Sequence, residues 1–409
     1  MPHVTIGVGI YDVLKRLPQF AECIHAFVHG LAAEHLDAQF QPAFVKLLVI
    51  HDRFPSLTPR LICSEHASLS SMRRPPLIPP TCPHMINAAV IGLGRWGKNI
   101  VDAVQGKSKR LRFIRGVSKE PELVRDFATA KGFELSTEFE EAVADPRVQA
   151  VFLATPHSLH IGQISAVAAA GKPVWCEKPL ALTRAEAERA IAACKKAGVP
   201  FALGNNKRCF PCMRELKRLV AEGIIGDVLH IEGNFTNEHS TRVKGGWRDD
   251  PRESPGGGMT GAGLHVLDAF VNLAGPIRKV TASVYSQKSP PDPRDAAAAL
   301  VQFESGATGV LATVRAAPMY WRIMVFGSKG SAEARDETML TVAKIGEQPV
   351  TQVYPAAESL GVLLESFAET IETGKPFPVS TDDMLDVVGA FEAIIRSMAE
   401  ERPISVARA

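Results

Sequence analysis

A glycine-rich turn near residue 92 constrains the fold more than any other feature of the sequence. It lies in Ile86-Asn-Ala-Ala-Val-Ile-Gly-Leu-Gly-Arg-Trp-Gly97, where a short apolar run leads directly into a GxGxxG spacing, and a helical pattern follows over 98–105. In a dinucleotide-binding βα unit, Gly92 would make the tight turn, Gly94 would admit a pyrophosphate close to the backbone, and Gly97 would let the helix pack on the strand. The helix N-terminus would then offer its unpaired N–H groups to the phosphates.

The alternation of strand and helix continues beyond this turn. Helical patterns occupy 120–131, 161–170 and 183–196, the last opened by a capping box, and strand patterns occupy 112–118, 150–155, 173–176 and 201–204. Repeated βα units predict a doubly wound parallel sheet whose ligand lies outside the carboxyl ends of the strands. We therefore expect an α/β fold with a Rossmann dinucleotide-binding domain over residues 85–207.

After residue 207 the pattern changes to short, alternating strands. They cover 227–238, 278–287, 296–304, 307–316, 321–326 and 331–334, with glycine-containing turns between some of them. This pattern predicts an α+β domain over residues 208–409, built on a large, mostly antiparallel sheet. One face should pack on helices, and the other, if apolar, would form a homo-oligomer interface. A closing helix over 384–399 is expected to pack back onto the first domain.

Residues 1–84 differ from the rest of the chain. They hold seven of the twelve histidines, and seven prolines interrupt the stretch from Pro55 to Pro83. Without a helical or alternating period, the segment is expected to be a poorly ordered or non-native extension, with Met85 as the natural start. His25 and His29 could share a helix face and bind a metal, but no acidic or thiol partner accompanies them, so a solvated extension is favoured.

Composition narrows the class of partner. Lys and Arg total 46 against 44 Asp and Glu, and this formal charge of +2 is too small to indicate nucleic acid or an anionic membrane, so we expect a small-molecule partner. No apolar run reaches the roughly 18 residues of a membrane span. Seven irregularly spaced cysteines are typical of reduced thiols in a cytoplasmic protein. Cys209 and Cys212 form a CxxC without a second ligand pair, which predicts helix packing and no metal site.

Three further stretches, taken with the glycine turn, resemble the Gfo/Idh/MocA family of NAD(P)-dependent oxidoreductases. They are Ala154-Thr-Pro-His157-x-x-His160, Gly171-Lys-Pro-Val-Trp-Cys-Glu177-Lys178-Pro179-Leu, and Gly256-Gly-Gly-Met-Thr-Gly261-Ala-Gly263-Leu-His265-Val-Leu-Asp268. The resemblance runs from about residue 86 to residue 406. It implies hydride transfer between NAD(P) and a secondary hydroxyl or carbonyl of a sugar, cyclic polyol or related small molecule. It also implies that Lys178 lies beside the nicotinamide and that His265 faces the substrate hydroxyl.

Lys178 and His265 are the predicted catalytic residues. A hydroxyl that gives up a hydride at its carbon must also lose a proton, so the site needs a base and a cation that stabilises the developing oxyanion. His265 suits the first role because its unperturbed pKa lies near neutrality, and Lys178 suits the second. The alternatives are a solvated lysine at a strand end and a histidine that only lines the interdomain cleft. Many family members carry Asp where this chain has Gly261, so another carboxylate or a water must orient the imidazole, or catalysis is weak.

The remaining predicted site residues surround the dinucleotide and the substrate. Arg208 contacts either substrate or an interdomain carboxylate, and the sequence does not decide between them. His160 is placed near the cofactor, either in contact with it or in support behind it, while Asp268 adjoins His265 on the helix and has a structural role more often in the family. The predicted cofactor-binding set is Gly92, Gly94, Arg95, Trp96, Gly97, Ser118, Lys119, Thr155, Pro156, His157, His160, Glu177 and Lys178. The predicted substrate contacts are Lys178, Arg208 and His265.

The end of the second strand predicts which dinucleotide is preferred. An enzyme that selects NAD commonly places Asp or Glu there to bind the adenine ribose hydroxyls, but this chain reads Ser118-Lys119 before its first carboxylate, Glu120. Ser118 can donate a hydrogen bond to a 2′-phosphate and Lys119 can supply charge, which favours NADP over NAD. Two other functions remain open at this point: a dinucleotide-binding sensor without net catalysis, and an NAD-dependent glycosidase.

Overall fold

The computed structural model describes residues 85–238, 247, 250–285, 296–315 and 317–407. The predictions made for residues 1–84, including those for His25 and His29, lie outside the described residues. Within the described ranges, no helix combines the length and apolar character needed to cross a membrane.

The first half forms a six-stranded sheet in the order β3-β2-β1-β4-β5-β6, with every neighbouring pair parallel. This confirms the predicted doubly wound sheet. Two elements of this half were not predicted, strand β3 (Glu134–Ser136) and helix α3 (Phe139–Ala144). Segments of three and six residues are too short to show a period in the sequence. The strands are β1 Ile86–Ile91, β2 Leu111–Val117, β3 Glu134–Ser136, β4 Ala150–Leu153, β5 Val174–Cys176 and β6 Phe201–Leu203; the helices are α1 Arg95–Val104, α2 Arg125–Lys131, α3 Phe139–Ala144, α4 His160–Ala169 and α5 Arg184–Ala197.

The apolar character of β1 follows from its position inside this sheet. Ala88 and Val90 belong to the hydrophobic core on one face, whereas Ala89 and Ile91 belong to the core on the other. A strand covered by helices on both faces needs a continuous apolar run rather than an alternating one. The glycine turn therefore begins at the carboxyl end of a fully buried strand, beside the switch in strand order between β1 and β4.

The second half forms a nine-stranded sheet in the order β14-β13-β12-β11-β7-β10-β9-β8-β15. Its neighbours pair antiparallel except for β7 and β10, so the predicted mostly antiparallel sheet is confirmed. The buried face of this sheet packs on three helices, α6 (Pro211–Ala221), α7 (Leu264–Ala274) and α9 (Thr381–Glu400). The strands are β7 Val228–Thr236, β8 Ile277–Tyr285, β9 Ala296–Phe303, β10 Thr308–Val314, β11 Tyr320–Gly327, β12 Gly330–Arg335, β13 Met339–Lys344, β14 Val350–Val353 and β15 Ile404–Ser405; the helices are α6 Pro211–Ala221, α7 Leu264–Ala274, α8 Ser359–Thr373 and α9 Thr381–Glu400.

The last two helices join the two sheets. Helix α8, which the sequence pattern did not reveal, contributes Leu363 and Phe367 to the core on one face of the parallel sheet. Helix α9 places Met384 and Val388 in the core on the opposite face, while other residues of the same helix pack on the antiparallel sheet. The end of the chain is therefore buried against both halves.

The CxxC pair is built into the packing between these elements. Cys209 lies in a short 3-10 turn and Cys212 in α6, and both side chains are buried. Burial raises the pKa of the Cys209 thiol to about 11 and that of Cys212 to about 12. Both groups are thus neutral thiols at physiological pH, which suits a packing role.

Candidate active site

Each of the three glycines of the turn has a different surrounding that a side chain would meet. Gly92 has φ +90, and a Cβ on it would lie 2.7 Å from the Ala154 carbonyl oxygen. A Cβ on Gly97 would lie 1.9 Å from the Gly92 carbonyl oxygen, so α1 can start at this distance from β1 only with glycine there. A Cβ on Gly94 would meet no protein atom within 4 Å. Gly94 is also the N-cap of α1 and gives no side-chain cap, which leaves first-turn N–H groups open to phosphate.

His160 supports the loops at the carboxyl ends of β4 and β5. Its imidazole is fully buried, with Nδ1 2.8 Å from the Pro179 carbonyl oxygen and Nε2 3.1 Å from that of Thr155. Burial lowers the pKa of His160, while the hydrogen bonds to the Pro179 and Thr155 carbonyl oxygens act in the opposite direction. His160 lines none of the three cavities described below, so its contacts support these two loops, and its predicted contact with the cofactor stays a prediction.

His157 and Ser158 hold the loop that leads into α7. The Nδ1 atom of His157 lies 2.7 Å from the Glu253 carbonyl oxygen, and the Ser158 backbone N–H donates to the Glu253 carboxylate at 3.1 Å. The Trp247 ring packs edge-on against the His157 ring. This contact brings the glycine-rich segment after Glu253 to the carboxyl end of β4, where the cofactor loop also lies.

Lys178 lies where two cavities meet. It follows β5, and its Nζ donates a hydrogen bond to the Gly261 carbonyl oxygen at 2.7 Å. Lys178, Trp96 and Gly261 line both a large cavity of about 380 Å³ and a small one of about 70 Å³. The small cavity is also lined by the predicted cofactor residues Thr155, His157 and Glu177. The predicted nicotinamide side and the predicted substrate side of Lys178 are therefore both open.

His265 faces the large cavity from the start of α7, just after a π-helical turn over Met259–Gly263. Its side chain is nearly buried and packs edge-on against Phe235 at 5.8 Å between ring centroids. Burial, reinforced by the positive charges of Lys178 and Lys207, holds the pKa of His265 well below its usual range. A neutral imidazole can accept a proton, which is what the predicted base requires.

The orienting group expected for His265 is missing from the described residues. Its Nδ1 is buried and has no hydrogen-bond partner among them, and no carboxylate is among the groups that shift its pKa. At Gly261, where a carboxylate is common in the family, an added Cβ would meet no atom within 4 Å. The backbone therefore has room for the side chain that this sequence lacks.

Lys207 is a cavity residue that the sequence interpretation missed. Its Nζ lies 4.5, 4.3 and 4.9 Å from the ring centroids of Phe210, Phe235 and Trp321. Burial lowers the pKa of Lys207 to about 8, although the nearby Glu337 acts in the opposite direction. The signal lay in the Asn206-Lys207-Arg208 motif, where attention went to the arginine. Other polar side chains on the same cavity are Asn206, Asn237, Arg315 and Glu337.

Arg208 pairs with carboxylates of the protein, which is one of the two alternatives that the sequence left open. This corrects its prediction as a substrate contact. Its Nη2 lies 2.7 Å from Asp268 Oδ1 and its Nη1 lies 2.7 Å from Asp383 Oδ2, with only 5% of the side chain exposed. Asn205 also donates to Asp268 at 2.8 Å. A guanidinium enclosed by two carboxylates has its donors occupied. Arg208 does not line the large cavity and instead ties the 3-10 turn after β6 to α7 and α9.

The opposite end of the cofactor loop opens on a third cavity of about 420 Å³. Ser118, a predicted cofactor residue, lines it together with Lys98, which the sequence analysis did not select. Lys119, next to Ser118, is exposed and is not among the lining residues, so its role at the 2′-phosphate stays a prediction. Glu120 lines the cavity, with its backbone N–H donating to Ser118 Oγ at 3.3 Å.

Two family models match the chain, and together they cover more than half of it. One, described as "Oxidoreductase family, NAD-binding Rossmann fold", matches residues 86–205, and the other, the "GFO/IDH/MocA C-terminal domain", matches residues 213–333. The chain belongs to the Gfo/Idh/MocA family of NAD(P)-dependent oxidoreductases. The two matched ranges coincide with the parallel sheet and with most of the antiparallel sheet.

Individual relatives agree with this assignment. The chain is 28% identical over 341 residues to inositol 2-dehydrogenase of Rhizobium meliloti, covering 79% of this chain and 99% of the relative. It is 26% identical over 314 residues to scyllo-inositol 2-dehydrogenase (NADP(+)) of Bacillus subtilis, covering 70% and 86%. Among solved structures, aldose-aldose oxidoreductase from Caulobacter crescentus complexed with glycerol has a TM-score of 0.70 at 27% identity, covering 78% of this chain and 99% of that one.

Proposed function

We propose that this protein oxidises a secondary hydroxyl, or reduces the corresponding carbonyl, of a sugar or cyclic polyol with a nicotinamide dinucleotide. The observation that carries the proposal is the position of Lys178 and His265 on one cavity that also reaches Trp96 of the cofactor loop. The substrates in the names of the relatives, inositols and aldoses, support the substrate class. In this proposal residues 85–207 bind the dinucleotide and residues 208–409 bind the substrate.

The residues present fit a dinucleotide. Gly94 leaves open space beside the uncapped first turn of α1, where a pyrophosphate would bind. When bound, the nicotinamide supplies the hydride acceptor or donor. Neutral His265 accepts the hydroxyl proton, and the Lys178 ammonium donates a hydrogen bond to the oxygen as negative charge develops on it. Because Lys178 also donates to the Gly261 carbonyl oxygen, the backbone of the glycine-rich segment fixes its position.

The proposal includes a preference for NADP(H). Ser118, Lys98 and Arg95 line the cavity at the end of β2 and supply donors and positive charge for a 2′-phosphate, while Glu120 opposes it. We expect Lys98→Ala to weaken NADP+ binding by up to about fivefold with little change for NAD+, because an exposed charge pair contributes at most about 1 kcal/mol. Titration of both dinucleotides measures this, with exposed Lys195→Ala as the matched control. Tighter binding of NAD+ than NADP+ by the unmodified protein would contradict the preference.

The proposal also includes a cytoplasmic homo-oligomer. The outer face of the antiparallel sheet exposes apolar side chains on neighbouring strands, with Leu300 of β9 paired to Val310 of β10 and both more than two-fifths exposed. A second copy of the chain is the proposed occupant of this face. Leu300→Lys should then shift the sedimentation coefficient toward that of a monomer, and an unchanged value would argue against the interface. The four described cysteines are free thiols, which supports a reducing compartment.

A redox assay separates the proposed function from its alternatives. Purified protein is incubated with NADP+ or NAD+ and a panel of inositols, aldoses and glycosides, while reduced nicotinamide and free sugar are both measured. An oxidoreductase gives net nicotinamide reduction, and a glycosidase releases sugar without net reduction. A sensor binds dinucleotide and gives neither product, which would refute the proposed function.

A further inference from the structure

The large cavity has a cationic side chain that hydride transfer does not use. Among the described residues that line it, four are cationic, Arg95, Lys178, Lys207 and Arg315, and one, Glu337, is anionic. Arg95 belongs to the cofactor loop and also lines the cavity at the end of β2, and Lys178 is proposed to act on the reacting oxygen. Lys207 therefore remains as a cation on the substrate side without a role in hydride transfer, whereas Arg315 makes an interaction of its own.

Lys207 lies among aromatic rings at the wall of this cavity. Three rings, those of Phe210, Phe235 and Trp321, lie against its ammonium group, and its side chain lines the cavity. No carboxylate of the described residues lies within the 4.0 Å of an ion pair with its Nζ, Glu337 included. Aromatic faces stabilise an ammonium ion but do not replace a counterion when water is displaced. A substrate filling the cavity would displace that water.

Arg208, the next residue, shows the contrast. Its guanidinium is enclosed by Asp268 and Asp383, so its charge is neutralised inside the protein. Consecutive residues of one short turn thus place one paired cation in the core and one cation without an ion pair on the cavity. The second arrangement is typical of a site whose counterion arrives with a ligand.

We propose that the substrate is an acidic sugar or polyol, whose carboxylate binds at Lys207 while its reacting hydroxyl lies at Lys178 and His265. The inference rests on the proposed oxidoreductase function and adds the substrate's charge to it. The amide side chains of Asn206 and Asn237, on the same cavity, have the chemistry to bind the neutral hydroxyls. Glu337, on the same cavity, repels an incoming carboxylate, so binding depends on a direct contact of that carboxylate with Lys207.

Matched pairs of substrates test the inference directly. With saturating NADP+, kcat/KM is measured for D-glucuronate against D-glucose, D-galacturonate against D-galactose, and D-gluconate against D-sorbitol, with D-glucose 6-phosphate as a phosphate arm. We expect at least one acid to exceed its neutral partner by about tenfold or more, since hydrogen bonds to charged groups are the strong ones. Faster turnover of the phosphate ester than of every carboxylate would show that the site prefers a phosphoryl group to a carboxylate, and it would overturn the proposal.

Variants at Lys207 assign the preference to this side chain. Lys207→Met keeps an unbranched side chain between the aromatic rings and should bring the acid-to-neutral ratio down to about one, whereas Lys207→Arg should retain a ratio above one. Lys195→Met, at an exposed position of α5, is the control and should keep the wild-type ratio. An unchanged ratio in Lys207→Met would overturn the inference.

The outcomes keep the two proposals apart. Turnover of neutral partners with no acid preference leaves the oxidoreductase function standing and refutes the acidic substrate. If no compound is oxidised, the proposed function fails, and calorimetric titration of D-glucuronate, D-galacturonate and D-gluconate into the NADPH-saturated protein decides the inference. Binding that Lys207→Met weakens about tenfold would support the anion site, and absence of binding would refute it.

Discussion

The cofactor loop and the substrate cavity lie next to each other but are built in opposite ways. At the loop, Gly92, Gly94 and Gly97 fall within six consecutive residues, and the turn has little freedom to use other residue types. At the cavity, His265 comes from α7, Lys207 from the turn after β6, and Arg315 follows β10. Binding of the dinucleotide phosphates depends on backbone geometry that one segment supplies alone. Substrate recognition depends on side chains that meet only after both sheets have formed.

The largest effect on dinucleotide binding is expected when a methyl group is placed in the cofactor loop. Gly97→Ala would bring Cβ to 1.9 Å from the Gly92 carbonyl oxygen, a distance that requires α1 or the turn to move. We expect loss of NADP+ affinity by about 100-fold or more, or loss of folded protein. The atoms that the new methyl group would meet belong to the Gly92 backbone, which cannot move aside as a flexible side chain would. Fluorescence titration and thermal unfolding measure the two effects.

Gly261→Ala is the matched control from the cavity side. A Cβ there meets no protein atom within 4 Å, so NADP+ affinity should stay within about twofold of wild type. Equal losses in the two alanine variants would show that the loop glycines are not sterically special and would remove the contrast.

A loss of stability, without loss of the cofactor turn itself, is expected where the core ties the two regions together. Arg208→Met leaves Asp268, which is buried, without its main positive partner, and breaking a buried pair in this way costs about 3–5 kcal/mol of unfolding free energy. Urea denaturation of the apoprotein measures the loss. Arg218→Met, in an exposed pair with Glu215 and Glu222, should change the midpoint far less. If the two variants unfold at the same urea concentration, the buried arginine does not hold the turn after β6.

The smallest predicted effect concerns the pH dependence of the cavity. Because the pKa of His265 lies well below its usual value of 6.5, kcat/KM should not fall as the pH decreases through 6.5 but only at lower pH. Gly261→Asp adds a negative charge one turn before His265, which should raise its pKa and move the acidic limb upward by roughly one pH unit. A wild-type limb centred near 6.5, or an unshifted limb in Gly261→Asp, would contradict the environment assigned to His265.

The same depressed pKa has a consequence for stability. The unfolded chain takes up a proton near pH 6.5 while folded His265 resists it, so this residue's contribution to stability is present above that pH and is lost as the pH falls below it. In His265→Gln this part of the pH dependence of unfolding should disappear. A persisting slope in the variant would assign it to other groups.

The sequence predicted what local rules impose. The strand-turn-helix unit at Gly92, the order of βα units and the positions of Lys178 and His265 each have a signal within a few residues. Helix α8 has no such signal, because its apolar side chains pack against the parallel sheet, whose strands lie much earlier in the sequence. Lys98 was missed because α1 carries it, like Arg95, to the cavity that Ser118 lines at the end of β2, and no spacing rule reports that. Lys207 was missed because its role depends on three aromatic side chains from two strands and a helix N-terminus.

The central claim is that Lys178 and His265 carry the proton transfer and oxyanion stabilisation of one hydride-transfer site. It is tested most directly by measuring turnover and NADP+ dissociation constants in parallel for wild type, Lys178→Ala and His265→Ala, with whichever sugar or polyol the wild type oxidises. We predict that each variant loses about 100-fold or more in kcat while its NADP+ affinity stays within a few-fold of wild type. Turnover close to wild type in both variants would contradict the account.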